Sequence, residues 1–405
     1  MVSVVAGHNH SCVSTQKGKV WCWGSNNFGQ LGSGSWKDSN VPVTVLSPGS
    51  AAQISAGSFH TCALSSVGIV FCWGLNSNGQ LGDGSLLNRN TPVLPILPRC
   101  ILVSSGFAHS CALLANRSIA CWGSNSMARF SSTIIDTYTQ PVLFSSSALY
   151  LTVSCARVYT CAVDTSQSVR CWGQNFDSLL GVNKDAHISR VPVNPTLCSG
   201  AYIGDFSGSC VMLNASTAIV AASNLSSSLS GGSVSLSVSF IISGKVHGTQ
   251  QPGVYVRDLP ISQVSPTLIR SNSSSVITFS GSFATAASVG CGGAHSCAIM
   301  FSGELFCWGS NAAGQLGDRS VIDRSIPTSI TQDIGQLSKV ALGHLHSCML
   351  TSAGRLACWG DNRFGQLGDN STVGRTSPVT VLLSTASQQV SLGSRHTCAL
   401  TVCYK

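Results

Sequence analysis

The sequence predicts an all-β propeller, and three observations carry that prediction. One block recurs along most of the 405 residues at a near-constant interval. Each copy holds two β-favouring runs joined by a short turn and followed by a glycine-rich corner. The interval itself, close to fifty residues, suits a stack of four-stranded blades.

The clearest copy is Gly57–Gly84, GSFHTCALSSVGIVFCWGLNSNGQLGDG. Its HTCAL and IVFCW runs flank SSVG, a hairpin signal, and Asn76 to Gly84 supplies residues that tolerate positive φ. Further copies begin at Gly7, Gly106, Arg157, Gly293 and Gly343, and a half-copy, GSRHTCALTVC, closes the chain. The first cysteines, Cys12, Cys62, Cys111, Cys161, Cys210, Cys297, Cys348 and Cys398, are spaced by 50, 49, 50, 49, 87, 51 and 50 residues.

The pattern GxxHxCAL followed by CWGxNxxGQLGDG, with a proline about ten residues later, resembles the RCC1 (regulator of chromosome condensation) repeat. The resemblance covers residues 1–224 and 289–405. It implies a seven-bladed β-propeller. The family's functions span nucleotide exchange factors, secreted enzyme inhibitors and receptor ectodomains, so the resemblance specifies the fold more closely than the activity.

Taken in order, residues 1–15 are a half-unit, and blades follow to about Ser223. The third keeps Cys111 and Cys121 but loses GQLG. The fourth puts Tyr159 where histidine stands elsewhere. The fifth keeps Cys210, with Val220, Ala221 and Ala222 in place of the CWG triplet. Residues 225–288 are irregular: LSSSLSGGSVSLSVSFIISG alternates as a half-buried strand would. They are read as an insertion, giving seven blades, with a degenerate eighth blade as the alternative. One GxxHxC half is then surplus, and the two chain ends compete for one closing position.

Only 9% of residues are charged, and no apolar run approaches the eighteen or so residues that span a bilayer. Nineteen cysteines would be anomalous in a reducing cytosol. Twelve form pairs ten residues apart: Cys12 with Cys22, Cys62 with Cys72, Cys111 with Cys121, Cys161 with Cys171, Cys297 with Cys307, and Cys348 with Cys358. Sequons stand at Asn9, Asn116, Asn214, Asn224, Asn272 and Asn370. Together these favour an extracellular or secretory-lumen setting. No signal peptide precedes Val2, which leaves a missing start or another compartment as the alternatives.

Each cysteine pair reads as a cross-strand disulfide, with two alternatives: a metal site with the neighbouring histidine, or buried free thiols. The fourth blade loses the histidine and keeps both thiols, which favours the disulfide; the spacing H-x-C is also not that of structural zinc sites. No metal or cofactor is expected. Trp23, Trp73, Trp122, Trp172, Trp308 and Trp359 are expected to pack between blades. One plant branch of the family senses ultraviolet light through tryptophans in GWRHT, but the matching positions here read GSFHT and GSRHT. The repeated histidines are expected to be satisfied structural groups.

Arg89, Arg324 and Arg375 each precede a corner proline by three residues and should form part of a ring on one face. With Lys37 and Trp36 they are the candidate partner contacts, against the alternative that they only brace their loops. On the first reading, reversing the three charges weakens binding and leaves thermal stability nearly unchanged. The formal charge of +8 suits an acidic partner. No nucleotide-binding or hydrolase motif occurs, and no specific nucleic-acid signal. The expected function is a non-enzymatic, disulfide-stapled, protein-binding propeller, secreted or part of an ectodomain. The rival is an RCC1-type guanine nucleotide exchange factor for a small GTPase.

Overall fold

The structure, a computed structural model, describes residues 3–46, 50–126, 135–144, 148–175, 180–181, 188–193, 225–230, 233–240, 275–281, 286–330 and 335–401. Among these residues every regular element is a strand, and no helix is long and apolar enough to cross a membrane. Contacts divide the chain into two units, Met1–Pro195 with Ala286–Lys405, and Thr196–Thr285.

The first unit consists of small antiparallel sheets that follow the repeat. The first is β1 (Ser3–Ala6), β2 (His10–Ser14), β3 (Val20–Gly24) and β4 (Ser39–Thr44); the second is β5 (Ala51–Ala56), β6 (His60–Ser65), β7 (Val70–Gly74) and β8 (Arg89–Val93). The third is β9 (Cys100–Ser105), β10 (His109–Leu114), β11 (Ile119–Ser124) and β12 (Thr137–Leu143); the fourth is β13 (Tyr150–Cys155), β14 (Tyr159–Asp164), β15 (Val169–Gln174) and β16 (Ile188–Val193). The second unit holds one three-stranded sheet, β17 (Leu225–Ser230), β18 (Ser233–Phe240) and β19 (Ser275–Gly281). The first unit resumes with β20 (Ala286–Cys291), β21 (His295–Met300), β22 (Leu305–Gly309) and β23 (Arg324–Ile330). It continues with β24 (Leu337–Leu342), β25 (His346–Thr351), β26 (Leu356–Gly360) and β27 (Arg375–Thr380), then β28 (Ser387–Leu392) and β29 (Thr397–Thr401).

The first strand of each sheet is the innermost. β1 packs on β5, β5 on β9, β9 on β13, β13 on β20, β20 on β24, β24 on β28, and β28 on β1. Seven inner strands thus close a ring, and the unit is a β-propeller. Two expectations change. Residues 286–288, placed in the irregular region, begin the inner strand β20, because Ala286 and Val289 are buried with the repeats. The two terminal half-units do not compete for one position: β1–β2 belong to a four-stranded sheet, and β28–β29 form the neighbouring sheet. The expected fifth blade around Cys210, with its Val220–Ala222 stretch, lies outside the described residues. β13 meets β20 directly, so the seven inner strands are counted without it.

Within a sheet, the hairpin of second and third strands sets the register. His60 faces Gly74, Thr61 faces Trp73, and Cys62 faces Cys72. Gly74 has φ +109, and a Cβ there would lie 2.6 Å from the Phe59 carbonyl oxygen, which fixes the glycine of CWG. Between Cys72 and Gly74 the pairing of β7 with β8 shifts register, a bulge that turns the chain into the corner. All six second-strand residues of β6, β10, β14, β21 and β25 are buried, since both faces are covered by neighbouring sheets.

The core therefore lies between sheets. One cluster joins Cys62, Leu64, Val70 and Cys72 of the second sheet to Val103, Ala112 and Trp122 of the third. The Trp122 indole N–H also donates to the Gln80 carbonyl of the preceding corner, 2.8 Å away, as Trp73 does to Gln30 and Trp359 to Gln315. For these three buried indoles the GQLG corner supplies the acceptor.

Candidate functional site

A belt of side-chain hydrogen bonds holds the sheets around the ring. His10 Nε2 meets Thr61 Oγ1 at 2.9 Å, His60 meets Ser110 at 2.9 Å, and His109 meets Thr160 at 3.0 Å. His295 meets Ser347 at 2.7 Å, His346 meets Thr397 at 3.0 Å, and His396 meets Ser11 at 3.0 Å. Each hydroxyl of Thr61, Ser110, Ser347 and Thr397 donates to a corner glutamine carbonyl at 2.7–3.0 Å. It must then accept from the histidine, which fixes the Nε2–H tautomer. Burial pushes His10, His60 and His295 down to about 3, so the rings are neutral.

The fourth sheet solves the same problem differently. Tyr159 donates its hydroxyl to the His295 carbonyl at 2.6 Å and accepts from the Ser296 hydroxyl at 2.8 Å. This bond ties residues on either side of the second unit's segment. The substitution explains a second one. A Cβ at Gly57 would lie 2.2 Å from His60 Cε1, and glycine precedes every belt histidine by three residues. Ahead of Tyr159 that position is Ala156.

The turn between first and second strands projects at one mouth of the ring. Seven equivalent positions, His8, Ser58, Phe107, Arg157, Gly293, His344 and Ser394, line a cavity of 220 Å³ there. Aromatic contacts run along part of its rim: His8 to Phe59 at 5.3 Å, Phe28 to Phe59 at 5.4 Å, and Phe59 to Phe107 at 6.4 Å. The guanidinium of Arg157 sits 5.4 Å from the Phe107 ring centre, and that of Arg395 sits 4.6 Å from Phe364. Burial lowers the His8 and His344 pKa values, and the positive field of Arg157 and Arg395 lowers them further. The belt histidine recurs in six of the seven sheets, while the mouth positions hold five residue types.

The candidate contacts named from sequence lie in the corners. Arg89 bonds Asp83, Arg324 bonds Asp318 and Arg375 bonds Asp369, at 2.6–2.9 Å. Hydroxyls, backbone and the paired arginines hold the Asp83 and Asp318 carboxyls below their ordinary value, despite burial, which acts the other way. Asp83 also accepts from Asn76, whose own oxygen caps the Leu81 amide. These arginines brace their loops, although each stays about a third exposed at its side chain. Trp36 (48% exposed) and Lys37 project from the first corner. Sequence reasoning passed over Arg157 and Arg395 because they stand at neighbouring positions of the turn, neither of which keeps one residue type from sheet to sheet.

The six cysteine pairs stand as the spacing suggested, each joined as a disulfide across the hairpin of second and third strands. Cys12 is bonded to Cys22, Cys62 to Cys72, and Cys111 to Cys121. Cys161 is bonded to Cys171, Cys297 to Cys307, and Cys348 to Cys358. The Cα–Cα distances are 4.0–4.1 Å, and all twelve residues are buried. Cys100, Cys155, Cys291 and Cys398 are free, and burial pushes the Cys155 and Cys291 thiols up to about 12. His109, Cys111 and Cys155 converge, but Cys111 is taken by its disulfide and His109 by Thr160. Of the sequons, Asn9, Asn116 and Asn370 are exposed; Asn214, Asn224 and Asn272 lie outside the described residues.

A closed ring of repeated sheets, linked by a histidine–hydroxyl belt and GQLG corners, defines a repeat propeller. The "Regulator of chromosome condensation (RCC1) repeat" model matches residues 17–64, 68–113, 302–350 and 353–400. A second model of the same repeat matches 1–30, 51–80, 100–128, 286–315 and 337–366. Together they cover more than half the chain, which belongs to the RCC1 repeat family. The chain is 37% identical over 116 residues to the ultraviolet-B receptor UVR8 of Arabidopsis thaliana, covering 28% of this chain and 26% of that one. It is 40% identical over 118 residues to the probable E3 ubiquitin-protein ligase HERC4 of Homo sapiens, covering 28% and 11%. The match spans about a quarter or less of these relatives' lengths. Among solved structures, human WBSCR16 superposes with a TM-score of 0.71 at 17% identity, covering 100% of this chain and 87% of that one. Prp20p of Saccharomyces cerevisiae, described with its binding to Gsp1p and histones, gives 0.69 at 15% identity, covering 99% and 82%. At these identities the likeness establishes the fold.

Proposed function

We propose that this chain is a non-enzymatic protein-binding propeller, stapled by its six disulfides and working outside the cell or in the secretory lumen. One observation carries the reading: a belt built on the same histidine in six of the seven sheets presents five different residue types at the seven equivalent positions of one mouth. A rigid frame with variable loops is how scaffolds acquire specificity without chemistry of their own. The binding of Prp20p to Gsp1p and histones shows that a propeller of this fold serves protein partners. Six disulfides need an oxidising compartment to form and persist.

Two measurements test this. Peptide mapping of the protein from its native cells, with thiols blocked before reduction, should find all six pairs linked and carbohydrate on Asn9, Asn116 or Asn370. Twelve alkylatable thiols would refute the compartment. A photo-crosslinker at Ser58 or Ser394 should give discrete protein adducts, and one at Lys19, in the hairpin at the other end of the sheet, should not. Equal yields from both would refute the mouth as the working face. Accelerated nucleotide release from a Ran-like GTPase would establish exchange activity instead.

A further inference from the structure

The corner arginines are each bonded to an aspartate, so the charge free to attract a partner must sit elsewhere. At the mouth, neither Arg157 nor Arg395 has a carboxylate within ion-pair distance among the described residues. Both are exposed, and each lies near an aromatic ring, a contact that leaves the guanidinium edge open to an acceptor. Among the described residues no carboxylate lines the cavity. The acid nearest in effect, Asp361, is bonded to Arg363 at 2.9 and 3.2 Å and to Gln366 at 3.1 Å. His8 and His344 both feel Arg157 and Arg395, so the four groups share one field over the cavity. At 220 Å³ the cavity is smaller than the roughly 300–1,000 Å³ of sites for drug-sized molecules. It suits one or two side chains of a larger partner.

We propose that this mouth receives an acidic segment of a protein partner, with aspartate or glutamate carboxylates of that segment bonded by Arg157 and by Arg395. Ser58 and Ser394 add hydroxyl donors on the cavity wall, and an apolar neighbour of the acid packs on Phe59 and Phe107. The proposal rests on the protein-binding reading and adds the chemistry of the partner. Unopposed cations attract an acidic segment from a distance, and because both arginines are exposed the contact is sensitive to salt.

The test is fluorescence anisotropy with a labelled seven-residue peptide alternating aspartate and glycine around a central phenylalanine, beside its asparagine counterpart. The full chain should bind the acidic peptide at least tenfold more tightly than the amide, with affinity falling as salt rises. Arg157→Gln with Arg395→Gln should remove that preference at unchanged melting temperature. Lys19→Gln with Arg355→Gln, in hairpins at the opposite end, should keep it within twofold. Equal binding of both peptides, or of neither, overturns the proposal. Acid-specific binding that survives the Arg157→Gln, Arg395→Gln double substitution also overturns it and leaves the scaffold reading intact, which the crosslinking above decides separately. A peptide with phosphoserine for aspartate that alone binds would replace carboxylate by phosphate and overturn the assignment.

Discussion

Acid should unfold this propeller through its belt. His10, His60 and His295 are held at about 3 and His346 at about 4, chiefly by burial, against an ordinary 6.5 in the unfolded chain. Because each folded value lies below the unfolded one, the unfolded state binds more protons between them. The stability of the neutral belt is complete above pH 6.5 and is lost as pH falls toward 3–4. At pH 5 each histidine costs about 2 kcal/mol, from about 1.4 kcal/mol per unit over the 1.5 units below 6.5. Four such groups together approach the whole stability of an ordinary domain. The paired aspartates add their loss only below about 4, so the two effects separate on the pH axis. Urea unfolding followed by tryptophan fluorescence, with disulfides intact, should show a midpoint dropping steeply from just below pH 6.5. Proton uptake on unfolding at pH 5 should be near four from these groups. His60→Gln should reduce that uptake by one. A midpoint that stays level from pH 7 to pH 5 would mean the belt is not neutral and buried as described.

Gly57→Ala should destabilise by about 2 kcal/mol or more, since the new Cβ enters the His60 ring. Adding His60→Tyr should recover part of the loss, because Ala156 and Tyr159 already form that combination; a double-mutant cycle with no coupling would contradict the explanation. Reversing Arg89, Arg324 and Arg375 to glutamate should lower the melting temperature, contrary to the expectation from sequence. Each change sets a carboxylate against Asp83, Asp318 or Asp369, at roughly 0.5–1 kcal/mol for pairs this exposed. An unchanged melting temperature would return these arginines to the list of partner contacts.

What could be read from the sequence is what the fold repeats. The cysteine and tryptophan periods predicted the sheets, because every sheet buries the same groups against the next one. They also predicted which residues face each other, since Cys62 and Cys72 stand symmetrically about one turn. The closing of the ring was less legible. Strand order around a ring depends on which inner strands touch, and the 87-residue interval between Cys210 and Cys297 concealed that β13 meets β20. Tyr159 occupies the position of a belt histidine, and its longer reach bonds the sheet that follows in space although 136 residues separate it from His295.

The candidate site was illegible for the opposite reason. Its positions keep no single residue type, so a search for recurrence selects the corner arginines, which the recurring aspartates hold, and discards the mouth. His8, Phe107 and Arg157 share no residue type; they share a position, one residue past the glycine that each belt side chain requires, or past the Ala156 that replaces it. In a repeat propeller the constant positions support the frame and the varying positions bear on specificity. A position that is structurally equivalent in every sheet but chemically different in most is therefore the one to search for binding. Here that criterion selects the seven mouth residues, and free cationic charge selects Arg157 among them, with Arg395 one residue beyond Ser394.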